Sequence, residues 1–431
     1  MKIKLRNAIY LLSTLVFLTN VARTQEMEQT PMDTLATAVS KLQTDMELLK
    51  KIKVSGYIQA QFQVADSAGI GSFAGGDFAP NTDKRFLVRR GRLKVTYDNA
   101  TTQYVLQVDA TPTGVVIKDV YVLFKEPWTN YFSLQAGVFN RPFGFEVPYS
   151  SSMRESPERS RFTQTLFPGE RDLGAKIAFQ PPKTSKWNFL RIEGGMFNGT
   201  GTTANDFDFQ KDFIGNIGIN SVTRNEKINY GLRFSYYDGG YRQPTKFVYD
   251  GIESLSNGNP GFIVDSADSN KGNIGRRRYV GGDFQLNLDN SFGITSLRGE
   301  YIQGKQPGTS TSTLSPSALP ATDTYIRNFN GAYFYFLQNL GPTKHQLIFK
   351  YDWYDPNSNV RGDDIGKAGS NLSGTDLKYT TIGIGWIYHW DANIRIMVYG
   401  DLVTNETSNN LSGFTKDIKD NVLTFRIQYK F

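Results

Sequence analysis

The chain has 431 residues, a formal charge of +7 and no cysteine, so disulfide staples, thiolate catalysis and cysteine-held metals are excluded. Four of its cations, Lys2, Lys4, Arg6 and Arg23, fall in the first 24 residues, where there is no acid; the remainder holds 44 basic against 41 acidic residues, a balance that argues against nucleic acid as a partner. A hydrophobic content of 39%, with 30 Phe, 23 Tyr and 41 Gly, fits a large all-β protein with aromatic edges rather than a disordered chain.

In chain order, residues 1–24 read as a cleaved signal peptide. Lys2, Lys4 and Arg6 precede the apolar run "AIYLLSTLVFL", and "ARTQ" offers a cleavage point after Thr24. The run is too short to span a bilayer, which takes about 20 residues. Residues 25–52 form a periplasmic linker and a short heptad helix. Leu35, Val39, Leu42, Met46 and Leu49 recur at alternating spacings of four and three, with Lys41, Asp45, Glu47 and Lys50 outside that seam. The pattern fits a surface helix or a small coiled coil joining subunits assembled elsewhere.

From Lys53 the period becomes two. In "KVSGYIQAQFQV", Val54, Ile58, Ala60, Phe62 and Val64 share one face, and Tyr57, Gln59, Gln61 and Gln63 the other. The pattern recurs to the C-terminus and predicts strands near 53–64, 85–97, 102–110, 115–125, 131–140, 173–180, 187–198, 213–223, 227–237, 277–288, 292–303, 325–337, 344–354, 379–390, 393–403 and 421–431. Short turns alternate with long loops, "TPTG" (111–114) excepted. These features predict an all-β fold over 53–431, a 16-stranded antiparallel transmembrane β-barrel. Apolar residues face lipid and polar ones face a wet lumen, because so wide a barrel cannot be filled by its own side chains. Trp386, Tyr388 and Trp390 fit an interfacial girdle. The ending "NVLTFRIQYKF", with aromatics at alternate positions up to Phe431, resembles the signal read by the outer-membrane barrel assembly machinery.

Five stretches carry a family resemblance: "VSGYIQAQF" (54–62), "FLVRRGRLKVTY" (86–97), "IKDVYVLF" (117–124), "GVFNRPFGFE" (137–146) and "FPGERDLGAKI" (167–177). In this order they resemble the phosphate-selective porin O/P family of Gram-negative outer membranes, over the first half of the barrel. The resemblance implies a homotrimeric pore in the cell outer membrane, among outer-membrane lipid and lipopolysaccharide, without cofactor or metal. It also implies a long third loop folded into the lumen, here 141–172, and an anion preference, with phosphate a candidate anion, set by arginines and a constriction lysine. Arg89 and Arg90 stand at the family's arginine pair. Between 142 and 172 there is no lysine; Arg154, Arg159, Arg161 and Arg171 are present, facing Glu146, Glu155, Glu158 and Glu170.

Alternation places fourteen cations inward, among them Arg90, Arg92, Lys94, Lys176, Arg233, Arg298 and Arg327, against seven acids. Such a lumen raises local anion concentration; if the charges pair, it is a nearly unselective pore for other small hydrophilic solutes. Arg89 has outward parity, which marks a bulge or a subunit contact, and Leu87, Leu93 and Val95 are expected to face lipid. An outer-membrane enzyme is the rival reading. Only His345 and His389 could act as imidazole bases, and neither HExxH nor GxSxG occurs. The sequence therefore reads as a passive diffusion pore, not an enzyme.

Overall fold

The computed structural model describes residues 31–202 and 205–431; the expected signal peptide and the linker up to residue 30 lie outside the described residues. The chain divides into two compact units, one ending at Ile52 and one spanning Lys53–Phe431. The first contains helix α1 (Pro31–Lys50). Its heptad seam is open to solvent along its whole length: Leu35, Val39, Leu42, Met46 and Leu49 are 44–66% exposed.

The second unit is one closed sheet. Its strands are β1 (Ile52–Ala65), β2 (Lys84–Asp98), β3 (Thr102–Thr111), β4 (Gly114–Lys125), β5 (Phe132–Asn140), β6 (Arg171–Phe179), β7 (Leu190–Phe197), β8 (Asp212–Val222) and β9 (Ile228–Arg242). They continue as β10 (Val248–Ser254), β11 (Pro260–Asp265), β12 (Ile274–Asn290), β13 (Gly293–Gly308), β14 (Thr324–Asn339), β15 (His345–Asp355), β16 (Tyr379–His389), β17 (Ile394–Asn405) and β18 (Val422–Lys430). Sixteen of these form the antiparallel wall in chain order. It closes where β1 pairs with β18, from Tyr57 opposite Lys430 to Ala65 opposite Val422, and with β2. The other two, β10 and β11, form a hairpin in the stretch 238–276, between the expected strands 227–237 and 277–288. β10 joins the sheet through a short parallel pairing with the start of β14.

The wall has its apolar side outward. Ile177 is 59% exposed, Ile427 57% and Ile384 56%, while Gln59, Gln61 and Gln63 of the same sheet are at most 3% exposed. Such an outer face is stable against hydrocarbon rather than water. The inward face is not uniformly polar, however. Tyr237, Tyr279, Phe329, Tyr333, Tyr335 and Tyr399 point inward and build an aromatic core with Phe143, Val147, Phe162, Leu166 and Phe167 of the segment between β5 and β6. That segment, residues 141–170, carries the short helix α2 (Arg161–Leu166). It needs apolar surface to pack on, and the inward aromatics supply it.

Two adjacent-charge pairs break the alternation of their strands. In β2, Phe86 (84% exposed) and Val88 (37%) point outward, yet so does Leu93 (43%), so the parity changes between them. Arg89 and Arg90 sit at that change, and both reach inward to Glu158. The expectation that Leu87 faces lipid is thereby corrected: it lies on the inward parity, and Phe86 and Val88 take the outward positions. In β4 the register against β3 slips, Gln107 pairing Asp119 and Val108 pairing Ile117, so Lys118 is the extra residue. A bulge of this kind turns two neighbouring side chains to one face. In an apolar-out barrel it is how two consecutive charges both avoid hydrocarbon.

Gly144 fixes the entry of segment 141–170. Its φ is +59°, and a Cβ there would lie 1.8 Å from Glu300 Oε1. Gly144→Ala is expected to weaken docking of the segment by roughly 1–3 kcal/mol. A lowered unfolding temperature in detergent, with the strand content by circular dichroism unchanged, is the expected reading; an unchanged unfolding temperature would contradict this role for Gly144.

Candidate functional site

The site is built from the inward face of β1, β2 and β18 and from segment 141–170. Alternation brings Tyr57, Gln59, Gln61 and Gln63 of β1 to one buried face. The neighbouring strands add Arg90 and Arg92 on one side and Thr424, Arg426 and Gln428 on the other. The segment presents Glu158 to this wall. Arg89 donates from Nε to Glu158 Oε1 at 2.8 Å and Arg90 from Nη2 to Oε2 at 2.8 Å. Arg426 donates to the same carboxylate at 3.2 Å, and Arg154 lies 3.6 Å away. One carboxylate thus serves four guanidiniums.

Neutral acceptors share the load. Gln59 Oε1 accepts from Arg90 at 3.0 Å, Gln61 Oε1 from Arg426 Nε at 2.8 Å, and the Pro157 carbonyl from Arg426 at 2.9 Å. Gln59 and Gln428 donate in turn to the backbone carbonyls of Ser151 and Ser152 at 3.0 Å each. Burial on its own would raise the pKa of Glu158, but Arg89, Arg90, Arg154 and Arg426 hold it well below the ordinary carboxylate range.

The segment is tied to the rest of the wall as well. The Phe145 and Glu146 amides donate to Glu300 of β13 at 3.1 and 3.0 Å. Arg298 of β13 pairs with Glu155 at 2.9 Å, and Ser156 shares a hydrogen bond with Tyr335 of β14. Arg233 of β9 donates to the Gly144 carbonyl, Asn216 of β8 to that of Pro142, and Arg395 of β17 to that of Arg154. Contacts to strands on facing sides of the ring put the segment across the interior. Its own turn is held by Arg159, which donates to the carbonyls of Glu146, Val147 and Tyr149 and pairs with Glu170. Glu146 closes the start of α2 by accepting from the Ser160 amide and the Thr163 hydroxyl.

Arg92 pairs with Asp109 at 3.1 Å, Lys176 with Glu193, and Arg171 with Asp119 at 2.8 Å. Arg161 makes no ion pair among the described residues; its guanidinium lies over Phe73 at 4.3 Å and Tyr379 at 3.7 Å. Arg327 sits away from this group. It is fully buried, bound to Asp376 at 2.8 Å, beside the cluster in which Phe262 and Tyr325 meet Val360, Ile365, Leu372 and Leu377. Lys94 faces inward, half-buried, with no ion pair among the described residues. The expected excess of free cations is therefore much smaller than inward parity alone suggests.

Lys118 was not foreseen. The bulge turns it inward among Glu170, Arg92, Arg171 and Asp109, where no ion pair or hydrogen bond engages it among the described residues. The signal was in "IKDV": two charges side by side in an apolar strand cannot both satisfy strict alternation. His345 lies in the aromatic row, accepting from Trp386 Nε1 at 3.1 Å and packing on Tyr388.

No family model and no curated protein matches the sequence. Among solved structures, the outer membrane channel DcaP of Acinetobacter baumannii superposes with a TM-score of 0.51 at 11% identity, over 88% of this chain and 97% of that one. The anion-selective porin from Comamonas acidovorans gives 0.49 at 11% identity, over 88% and 99%. The trimer form of OmpT, an outer membrane protein of Vibrio cholerae, gives 0.49 at 9% identity, over 88% and 99%. At 11% identity the likeness to DcaP is one of fold.

Glu158→Gln leaves the buried Arg90, Arg154 and Arg426 and the half-buried Arg89 without their counter-charge, at a cost of about 3–5 kcal/mol to the docked segment. Trypsin is expected to cut the variant after Arg154, Arg159 or Arg161 while the wild type resists. A carboxylate with a depressed pKa contributes fully above the ordinary value of 4.5 and loses its contribution as the pH falls through the depressed one. Wild-type resistance should accordingly persist from pH 8 to about pH 5. Equal cleavage of the two proteins would contradict the clamp.

Proposed function

We propose that the chain is a passive outer-membrane diffusion pore for small hydrophilic solutes, with a modest preference for anions, including phosphate. The observation that carries this reading is the interior clamp, where four guanidiniums share one carboxylate. The local surplus of positive charge raises anion concentration at the narrowed section. Lys94 of β2 and Lys118 of β4 add uncommitted charge on the same side of the wall. Arg233 and Arg395 add to it, since carbonyl and amide oxygens bind them without neutralising them.

Segment 141–170 is the constriction in this reading. Arg89, Arg90, Arg92, Arg154, Arg159 and Arg171 set its shape and field through their ion pairs, and Lys94 and Lys118 meet the solute. Lys118, brought in by a bulge of the wall, takes the place of a lysine on the loop. An enzymatic reading gains no support from the geometry, since neither His345 nor His389 hydrogen-bonds a serine or a carboxylate among the described residues.

The reading includes export through the signal peptide and assembly as a homotrimer. Phe431 follows the closing strand, its amide and carbonyl both bonding Gly56, and is the residue offered to the assembly machinery in this reading. The exposed seam of α1 meets the same seam of neighbouring copies. With Val39 and Met46 as a positions and Leu35, Leu42 and Leu49 as d positions, Asp45 and Lys50 take g and e positions of opposite charge. Leu42→Glu with Leu49→Glu is expected to lower the dissociation temperature of the detergent-purified oligomer without changing conductance per pore.

The direct test of function is a planar bilayer with a potassium chloride gradient. Open, ohmic channels with an anion-selective reversal potential are expected, and Lys94→Ala with Lys118→Ala should reduce the anion-to-cation permeability ratio roughly fivefold. A silent or cation-selective wild type would sink the proposal.

A further inference from the structure

The outward face of β12 runs apolar through Leu288, Leu286, Phe284 and Val280 and then changes character. The next two outward residues are Arg278 and Arg276, with side chains 53% and 66% exposed. Directly across the ladder from Arg278 stands Lys305 of β13, also outward and 50% exposed. Three cations thus share one patch at the upper border of the apolar band, on the long-loop end of the wall. Like charges directly opposite on neighbouring strands repel. Asp238 lies 3.1 Å from Arg278 and 3.9 Å from Arg276, and Asp250 of the β10–β11 hairpin lies 3.3 Å from Lys305. Two acids for three exposed cations leave the patch positive.

A cavity of about 700 Å³ opens beside these cations. Its lining joins the positive charges of Arg276, Arg278 and Lys305, outnumbering the one carboxylate of Asp250, with the hydrogen-bonding groups of Gln303, Asn328 and Ser358 and the apolar Val280 that leads down the band. None of the three cations faces the lumen, so the conduit has no use for them. At that height on the outer wall, their neighbours are the headgroups of the outer leaflet.

We propose that this cavity binds the phosphorylated headgroup of an outer-leaflet glycolipid. The phosphate bridges Arg278, Lys305 and Arg276, relieving their mutual repulsion. Sugar hydroxyls meet Gln303, Asn328 and Ser358, and an acyl chain follows Val280 and Phe284 down the wall. The inference rests on the reading of the barrel as an outer-membrane pore. The favoured source of phosphate is a lipid, because the cations border the apolar band and Val280 continues the cavity into it.

The test uses the full chain in detergent, titrated with bisphosphorylated lipid A and with the same lipid after dephosphorylation, bound lipid being read by native mass spectrometry. The wild type is expected to prefer the phosphorylated lipid. Arg276→Ala, Arg278→Ala and Lys305→Ala combined should weaken that binding by about fivefold per cation, on the order of 100-fold in all. Lys84→Ala, another exposed cation, should change nothing. Equal binding by the wild type and the triple variant overturns the proposal. So does displacement of lipid A by inorganic phosphate alone, which would make free phosphate the ligand. Conductance in phosphatidylcholine bilayers free of glycolipid judges the pore reading separately. The triple variant should conduct there like the wild type, and a wild type that fails to conduct sinks the pore reading whatever the lipid titration shows.

Discussion

Glu158 is where the wall and the segment across it become one structure. A wide barrel with an apolar exterior has no reason to place its interior residues in any one arrangement, because water can satisfy all of them. Bringing segment 141–170 inside changes that. The segment carries one carboxylate, with Arg154 beside it, into reach of Arg89, Arg90 and Arg426, and three wall guanidiniums that would repel one another in an open lumen then share a counter-ion. Once Glu158 is fixed, Ser151 and Ser152 fall against Gln59 and Gln428, and Phe143, Phe162 and Phe167 fall against the inward tyrosines. Polar and apolar docking reinforce each other. Removing the carboxylate would strand buried charge, and removing the aromatics would leave the ion pairs exposed to water and weak.

The β-bulges make this interior possible. A regular strand sends alternate residues to lipid, so each allows one inward charge for every two positions. At Arg89–Arg90 and at Lys118–Asp119 the wall turns two consecutive charges inward. The first pair grips Glu158 with both residues. The second gives Asp119 to Arg171 and leaves Lys118 without an ion pair among the described residues. On the outer surface the same sorting rule holds with the opposite sign of consequence. Charges remaining outward, such as Arg276, Arg278 and Lys305, occur where the apolar band has ended.

Much of the architecture was legible in the sequence because hydrophobic alternation is a local signal. Each of the sixteen wall strands has its own apolar face, and each could be found without knowing its partner. The hairpin β10–β11 escaped because its short strands lie among long polar stretches and gain their order from β14, far along the chain. The inward tyrosines escaped for a related reason. Tyr237, Tyr279 and Tyr333 match the apolar residues in kind, and only the segment they pack against shows why they point inward. The bulges left a trace in "VRRG" and "IKDV", where neighbouring charges conflict with strict parity. The pairing of Glu158 left none. Its partners Arg90 and Arg426 are 68 and 268 residues away in the chain. Inward parity found Arg90, Arg92 and Lys94 but not Arg89 or Lys118, and it found no counter-ions, so it overstated how many cations were free to meet a solute.

The central claim, that segment 141–170 is a docked internal element rather than a surface loop, is open to hydrogen–deuterium exchange on the purified protein. The Phe145, Glu146, Ser160, Gln164 and Phe167 amides are all hydrogen-bonded in the docked state. Slow exchange across 143–167, comparable with that of strands β1 and β18 and faster in the Glu158→Gln variant, is the predicted result. Exchange of these five amides at the rate of an unprotected peptide would contradict the account.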